Sequence, residues 1–318
     1  MSSPAKRILV IKLSSLGDFI QALGSFKAIR TAHQGAHITL LTTKPFVPLA
    51  EACGYFDAVW CDKRVRYWQP LRILAFARQL RQGRFDRVYD LQWSQRSSSY
   101  LHLFGKGKVE WVGPARQASH RYDDNRRDRH IMTRHAEMLA QAGVAGAGLP
   151  DTSFMTADLS AFDLPARVAL LVPGSSPHRL IKRWPAEHFA TLAQKLIAAG
   201  VTPLLLGGPS EAQERATICR LCPAARDLGG RTSLAEIVAL GRQAEIAVGN
   251  DTGPTHLVAT SGCPTIALFC EESDPVKARP PGPRVTVLQE QRLADLSLTR
   301  VWDTVAAELA AKVQPAVP

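Results

Sequence analysis

The first half of the chain alternates short apolar runs with longer amphipathic segments. The runs that predict strands lie at 7–13, 37–43, 56–61 and 85–92. The segments that predict helices lie between them, at 19–32 and 71–83. Because strands that alternate with helices pair into a parallel sheet with helices on its faces, this half is expected to form an α/β domain.

The alternation restarts after a stretch rich in Gly, Pro, Asp and Ser at 143–165. Strands are predicted at 167–174, 202–208, 245–250 and 264–269, and helices at 185–200, 210–221, 233–244 and 256–262. These boundaries give Rossmann-like domains at 1–155 and 156–318, with a final helix free to pack back on the first domain. Two such domains with mainly parallel sheets are expected to face a central cleft, where the carboxyl ends of strands bind ligands.

Composition and missing motifs narrow the class of protein. The chain is 46% hydrophobic and 21% charged, which is typical of a soluble globular protein. Neither a Gly-x-Gly-x-x-Gly motif after a strand nor a P-loop is found, which disfavours a dehydrogenase or an NTPase. The pair Cys219 and Cys222 lacks the second close pair that zinc needs, so no metal is expected. Since "MSSPAKR" has no apolar signal-peptide core, a cytoplasmic location is expected.

The excess of positive charge lies in the first half. Residues 1–160 hold 23 Lys or Arg against 13 Asp or Glu, whereas residues 161–318 hold 16 against 15. Such an asymmetry indicates an anionic partner, which could be a nucleic acid, a membrane surface or an acidic substrate. The aromatic content of 7% gives little support for the stacking platforms that bind single-stranded nucleic acid.

The stretch "NDTGPTH" at 250–256 places polar residues where a predicted strand ends and a helix begins. Free backbone N–H groups make such a place an anion site, and Gly253 would let a ligand approach. The hydroxyls of Thr252 and Thr255 and the ring of His256 add donors. The alternative is a helix cap, with Asp251 or Thr252 as the N-cap and Pro254 at the first helical position.

Three further polar sites follow predicted strands. Asp18 ends the loop "SSLGD", which also contains Ser14, Ser15 and Gly17. Its carboxylate could act as a general base if burial raises its pKa. The alternative is that Asp18 is a helix N-cap and Gly17 makes the turn before it. Ser175, Ser176 and Lys182 form a phosphate-binding set or a basic surface loop. Glu211 follows "LLLGGPS" and could accept hydrogen bonds from ribose hydroxyls. The alternative is an acidic residue that stabilises the N-terminus of a helix.

Taken in order, these stretches resemble the ADP-heptose lipopolysaccharide heptosyltransferases of glycosyltransferase family 9. The stretches are "RILVIKLSSLGDFIQALGS", "KRWPAEHF", "GGPSEAQERA" and "GNDTGPTHLVATSGCPTIALF", of which the first and last are the most specific. The resemblance covers nearly the whole chain. It implies a GT-B fold whose N-terminal domain binds the acceptor and whose C-terminal domain binds the nucleotide sugar.

The resemblance also implies roles for the residues. Asp18 would be the base that deprotonates the acceptor hydroxyl, next to the loop residues Ser14, Ser15 and Gly17. Lys182, with Ser175 or Ser176, would hold the donor diphosphate. The other donor residues would be Glu211 at the ribose, and Asp251, Thr252, Gly253, Pro254, Thr255 and His256 at the diphosphate and sugar. The family inverts the anomeric centre by direct displacement, without a metal or another cofactor.

The expected donor is ADP-heptose, and the expected acceptor is the anionic core of lipopolysaccharide. Because the acceptor and the inner leaflet are both anionic, peripheral contact with the inner membrane is a hypothesis from the basic first half. Nucleic acid is not expected as a partner. Two alternatives stay open, which are a hexosyltransferase of the same fold and a nucleotide-sugar-binding protein without activity. Asp18 beside a full donor set favours an enzyme.

Overall fold

The computed structural model describes residues 6–105, 107, 109–123, 128–175 and 180–313. The chain divides between Asp151 and Thr152 into two compact units. Within the described residues, each unit holds one six-stranded sheet in which all neighbouring strands are parallel. Helices connect most of the successive strands, so the α/β class predicted from the sequence is confirmed.

The first unit has the strand order β3-β2-β1-β4-β5-β6. Its strands are β1 (Arg7–Ile11), β2 (His37–Thr42), β3 (Ala58–Cys61), β4 (Arg87–Asp90), β5 (Glu110–Gly113) and β6 (His120–Arg121). Its helices are α1 (Leu16–Ala32), α2 (Val47–Ala52), α3 (Pro70–Gln82), α4 (Gln95–Ser99), α5 (Leu101–Phe104) and α6 (Ile131–Gln141).

The second unit repeats this plan with the order β12-β11-β10-β7-β8-β9. Its strands are β7 (Val168–Val172), β8 (Thr202–Leu205), β9 (Arg226–Asp227), β10 (Ile246–Asn250), β11 (Thr265–Phe269) and β12 (Val285–Gln289). Its helices are α7 (Ala186–Ala198), α8 (Ala212–Leu221), α9 (Leu234–Gln243), α10 (Gly253–Ala259), α11 (Pro275–Ala278) and α12 (Leu298–Val313).

The central strands are almost entirely buried because helices cover both faces of each sheet. Every residue of β7, β10 and β11 is buried, as are Ile8 to Ile11 of β1. Each sheet reverses its winding beside its first strand, between β1 and β4 in the first unit and between β7 and β10 in the second. Such a reversal opens a crevice at the carboxyl ends of the two strands, where ligands bind in this class of fold.

One expectation about a helix differs from the structure. The sequence analysis began the first helix at Phe19, but α1 begins at Leu16 with Ser15 as its N-cap. Gly17 therefore lies inside the first helical turn instead of making a turn before it. The final helix α12 packs through Val301 and Val305 into the core of the second unit.

The sequence analysis did not predict strands β5, β6, β9 and β12, which are short or lie at a sheet edge. β6 and β9 have two residues each, too few to show a period.

None of the helices in the described part of the chain is long and apolar enough to cross a membrane.

Candidate active site

Asn250 joins the two strands that flank the crevice of the second unit. It ends β10, is fully buried, and donates from Nδ2 to the carbonyl oxygens of Pro173 at 2.7 Å and Gly174 at 3.2 Å. Its Oδ1 accepts from the backbone N–H of Trp184 at 3.2 Å. One amide side chain thus fixes the ends of β10 and β7 and the segment that carries Lys182. Sequence reasoning missed this residue, whose only signal was an amide at the end of an apolar strand.

Asp251 is the centre of a polar cluster at the same strand end. Its Oδ2 accepts from Ser273 Oγ at 2.7 Å and lies 3.2 Å from Lys182 Nζ. Its Oδ1 lies 3.1 Å from His256 Nε2. The side chains of Lys182 and Asp251 are only 12% and 13% exposed. The structure therefore brings together three residues predicted for the donor site and adds Ser273, which the sequence analysis did not select.

The cluster keeps Asp251 ionised. Burial raises the pKa of its carboxyl, but the hydrogen bonds from His256 and Ser273 and the charge of Lys182 outweigh burial and lower the pKa to about 2. An ionised carboxylate can only accept hydrogen bonds. Asp251 is therefore suited to groups that donate, such as sugar hydroxyls.

The start of α10 combines features of both sequence interpretations. Thr252 is the N-cap residue, and Gly253 and Pro254 are the first two helical residues, so the helix begins three residues earlier than predicted. The Thr255 hydroxyl turns back to the Asn250 carbonyl oxygen at 2.7 Å. His256 is buried against Asp251, whereas the sequence interpretations placed it at the surface or on a phosphate.

The loop after β7 supplies a hydroxyl whose position is fixed by an arginine. Ser175 is buried, and its Oγ accepts from Arg183 Nε at 3.1 Å. Arg183 also pairs with Glu214. The candidate Ser176 lies outside the described residues. Arg183 was not selected from the sequence, because nothing in "KRWP" distinguishes a side chain that supports Ser175 from a solvated cation.

Glu211 lies directly beside the end of β7. A methyl group added to Gly174 would come within 2.4 Å of its Cγ, so this approach requires glycine. The Glu211 carboxylate accepts from the backbone N–H of Gly208 at 2.6 Å and from the Ser210 hydroxyl. Gly174 therefore contacts both Asn250, through its carbonyl oxygen, and Glu211, at its Cα.

In the first unit, Asp18 belongs to a capping arrangement at the start of α1. Its Oδ2 accepts from the backbone N–H of Ser15 at 2.9 Å and from the Ser15 hydroxyl at 3.0 Å. It is the third residue of the helix and not the N-cap. The side chain is exposed, so the burial on which its role as a base was conditioned is not found here.

Gln92 and Lys12 attach this loop to the end of β4. Gln92 Oε1 accepts from the backbone N–H groups of Leu13 at 2.7 Å and Ser14 at 3.1 Å. Lys12 Nζ donates to the Leu91 carbonyl oxygen at 3.0 Å. Both contacts span the β1–β4 crevice and were missed, since partners about 80 positions apart leave no local pattern.

The same strand ends hold a buried pair of opposite charges. Burial raises the pKa of Asp90 to about 6, against hydrogen bonds from Ser97, Trp93 and Gln92 and the charge of Lys12. Burial lowers the pKa of Lys12, against the charges of Asp18 and Asp90. Perturbed groups of this kind concentrate at functional sites. The sequence signal was a lysine in the predicted strand 7–13 and an aspartate in the predicted strand 85–92.

The described ranges contain no set of side chains that could bind a metal ion. There, no group of three or more His, Cys, Asp or Glu side chains is placed to hold a metal ion. Cys53, Cys61, Cys219, Cys222 and Cys270 are free thiols.

One family model and one curated relative each match most of the chain. The model of glycosyltransferase family 9 (heptosyltransferase) matches residues 73–302. Lipopolysaccharide core heptosyltransferase OpsX of Haemophilus influenzae is 23% identical over 292 residues, which cover 86% of this chain and 82% of that protein.

Two solved structures share the fold. The ADP-heptose LPS heptosyltransferase II of E. coli has a TM-score of 0.77 at 20% identity, covering 97% of this chain and 100% of the other. E. coli heptosyltransferase WaaC with ADP-2-deoxy-2-fluoro heptose has a TM-score of 0.74 at 20% identity, covering 95% and 99%. The fold is GT-B, as the resemblance implied. Because the family match extends over most of the chain, this protein belongs to glycosyltransferase family 9 and is a glycosyltransferase.

Proposed function

We propose that the enzyme transfers a heptose from ADP-heptose to a hydroxyl of the lipopolysaccharide inner core, with inversion at the anomeric carbon. The observation that carries this proposal is the buried cluster of Lys182, Asp251, His256 and Ser273 at the carboxyl ends of β7 and β10. The cluster offers a cation for a diphosphate and an ionised carboxylate for sugar hydroxyls. Both groups are required by a nucleotide-sugar donor.

The roles in the donor site follow from charge. A diphosphate cannot donate hydrogen bonds and is repelled by a carboxylate, so it belongs at the Lys182 ammonium, whose remaining N–H donors can face phosphate oxygens. Ser175, or Ser176, adds a hydroxyl. Asp251 then accepts from the heptose hydroxyls, and Glu211 accepts from the ribose. Since α10 has only seven residues, its dipole contributes less to holding the diphosphate than Lys182 does.

In the transfer step, the acceptor hydroxyl gives its proton to the Asp18 carboxylate. The acceptor oxygen forms a bond to the anomeric carbon from the face opposite the diphosphate, and the bond from that carbon to the diphosphate oxygen breaks. ADP departs with the electron pair, and its developing charge is stabilised by Lys182 and the hydroxyl donors. The bound acceptor supplies the burial that Asp18 lacks in the free chain. No metal takes part in this scheme.

The names of the related proteins support the sugar and the nucleotide, because they include lipopolysaccharide heptosyltransferases and structures with ADP-heptose ligands. We propose an intracellular enzyme that works at the inner face of the inner membrane, where a lipid-borne acceptor is accessible.

A thermal-shift panel with ADP, UDP, GDP and NAD tests the donor assignment, since a ligand that binds only the native state raises Tm. We expect ADP to give the largest rise in Tm. Stabilisation by UDP alone would replace this proposal with a hexosyltransferase of the same fold.

A further inference from the structure

One surface of the first unit combines exposed apolar side chains with uncompensated positive charge. We call it the basic aromatic face, and it consists of the loop at 63–69 and the outer side of α3. Its apolar members are strongly exposed: Tyr67 is 85%, Trp68 55%, Leu71 81% and Leu74 64% exposed. Large exposed apolar groups that are adjacent to one another mark sites of interaction.

Helix α3 carries apolar residues on two opposite sides. Ala77 and Leu80 are buried and Phe76 is half-buried, and these residues attach the helix to the unit. Leu71, Leu74 and Arg78 follow the spacing i, i+3 and i+7, so they share a second side, and all three are exposed. The helix does not need this second side for its own packing.

The loop that precedes α3 is fixed in place by side chains beneath it. The buried Tyr100 hydroxyl donates to Asp62 Oδ2 at 2.6 Å, and Arg96 donates to the Val65 carbonyl oxygen at 3.1 Å. Tyr67 and Trp68 meet edge to face, with ring centroids 4.7 Å apart, and the Arg66 guanidinium lies 5.0 Å from the Trp68 ring. The aromatic pair is therefore presented in a defined position, which lowers the entropy cost of docking.

The charge on this face has one sign. Residues 63–84 contain seven Lys or Arg and no Asp or Glu: Lys63, Arg64, Arg66, Arg72, Arg78, Arg81 and Arg84. In the part of the chain that the structure describes, none of the seven forms an ion pair. The two acids that flank this segment have partners elsewhere: Asp62 is buried against Tyr100, and Asp86 accepts from the backbone N–H groups of Lys6 and Arg7. The partner of this face must therefore be anionic.

We propose that the basic aromatic face docks on an anionic lipid bilayer. Trp68, Tyr67 and the two leucines enter the interfacial region, and the arginines contact the headgroups. A nucleic acid would match the charge but would leave Leu71 and Leu74 in water. A second copy of the chain would oppose cations to cations. The docking itself does not depend on the proposed function. Only its purpose, which is access to an acceptor carried by a lipid, rests on that function.

Flotation with lipid vesicles tests the docking in the absence of donor and acceptor. A lack of vesicle binding would therefore overturn the docking proposal and would not bear on the proposed transfer activity. The vesicles are phosphatidylcholine alone, or phosphatidylcholine and phosphatidylglycerol in equal amounts. We expect the protein to bind the mixed vesicles, to ignore the neutral ones, and to dissociate as salt screens the headgroups. The double variant Arg72→Glu with Arg78→Glu should weaken vesicle binding at least about tenfold, because each cation near an anionic membrane surface contributes to the free energy of binding.

The matched control for charge is Arg220→Glu with Arg231→Glu, which changes net charge equally at two exposed positions of the second unit and should bind normally. The apolar contribution is tested by Leu71→Ser with Leu74→Ser, against Leu149→Ser at another exposed apolar position. Brominated acyl chains should quench tryptophan fluorescence, and Trp68→Phe should abolish most of that quenching.

Equal loss of binding in both charge-reversal pairs would overturn the proposal, since net charge and not this face would then be responsible. Binding to duplex DNA without binding to vesicles would assign the face to nucleic acid and would equally overturn it. A concentration-dependent dimer that the leucine variants dissociate, with no vesicle binding, would assign it to a second copy of the chain.

Discussion

The ammonium of Lys182 lies 3.2 Å from the carboxylate of Asp251, and both side chains are largely buried. Buried ion pairs seldom add net stability, because removing two charges from water costs about as much as their attraction returns. The location of this pair at the carboxyl ends of β7 and β10 therefore favours a binding role.

Removing the cation should weaken nucleotide binding. In Lys182→Met, we expect the Kd for ADP to rise about 10- to 100-fold, since a charge-assisted hydrogen bond to phosphate contributes about 1.5–3 kcal/mol. Isothermal titration calorimetry measures this change. Lys195→Met is the control. Lys195, on α7, lies over the Trp302 ring of α12 and takes no part in the cluster. An unchanged Kd in Lys182→Met would remove this lysine from the donor site.

The close approach of Glu211 to Gly174 makes a steric prediction. In Gly174→Ala the new Cβ would lie 2.4 Å from Glu211 Cγ, so the carboxylate must move and ADP should bind about tenfold more weakly. Glu211→Ala should show a similar loss. The double variant should bind no more weakly than Glu211→Ala alone, because both changes remove the same contact.

Gly35→Ala is the control for the added methyl group, since nothing lies within 4 Å of its Cβ position. Additive losses in the double variant would show that Gly174 acts independently of Glu211 and would contradict this reading of the site.

Asp18 has a structural contact and a proposed chemical role, and two variants separate them. Asp18→Asn keeps an oxygen that can accept from Ser15 but cannot take a proton, so kcat should fall about 10²- to 10⁴-fold with the Kd for ADP unchanged. Ser15→Ala loses the capping hydroxyl, which should lower the free energy of unfolding by about 1 kcal/mol and leave kcat nearly intact. Equal losses of kcat in the two variants would assign Asp18 to the helix cap alone.

The buried Asp90 predicts a dependence of stability on pH. Burial raises its pKa from 3.8 to about 6 in the folded chain, so the native state binds the proton more tightly than the unfolded state. Its contribution is fully present below pH 3.8 and is lost as the pH rises through 6. Asp90→Asn should therefore gain stability relative to the wild type between pH 4 and pH 7, by up to about 3 kcal/mol.

Urea unfolding at both pH values measures this difference, and each protein serves as its own reference at pH 4. A difference between the two proteins that does not change with pH would show that the Asp90 carboxyl titrates normally and that Lys12 compensates its burial completely.

The alternation of apolar runs predicted the sheets because strands buried on both faces must be apolar throughout. The central strands β1, β7, β10 and β11 are therefore apparent in the sequence. The two-residue strands β6 and β9 are not, since pairing with a neighbouring strand and not composition defines them. The early start of α1 did have a local signal, because Ser15 and Asp18 have the spacing of a capping box.

The candidate site was only partly predictable. The polar residues after strands were found because parallel sheets expose their carboxyl ends to ligands. The residues that hold them were missed: Asn250 contacts Pro173 and Gly174 across 77 and 76 positions, and Gln92 contacts Leu13 across 79. A helical or strand period describes only neighbours along one element, so contacts between elements require the folded chain.

The most direct test of the central claim is a transfer assay with ADP-heptose and a heptose-free lipopolysaccharide core, read by mass spectrometry of the acceptor. We predict that the wild-type enzyme adds a heptose to the acceptor and releases ADP, and that Asp18→Asn does not. Transfer from a UDP-hexose with none from ADP-heptose would contradict the account.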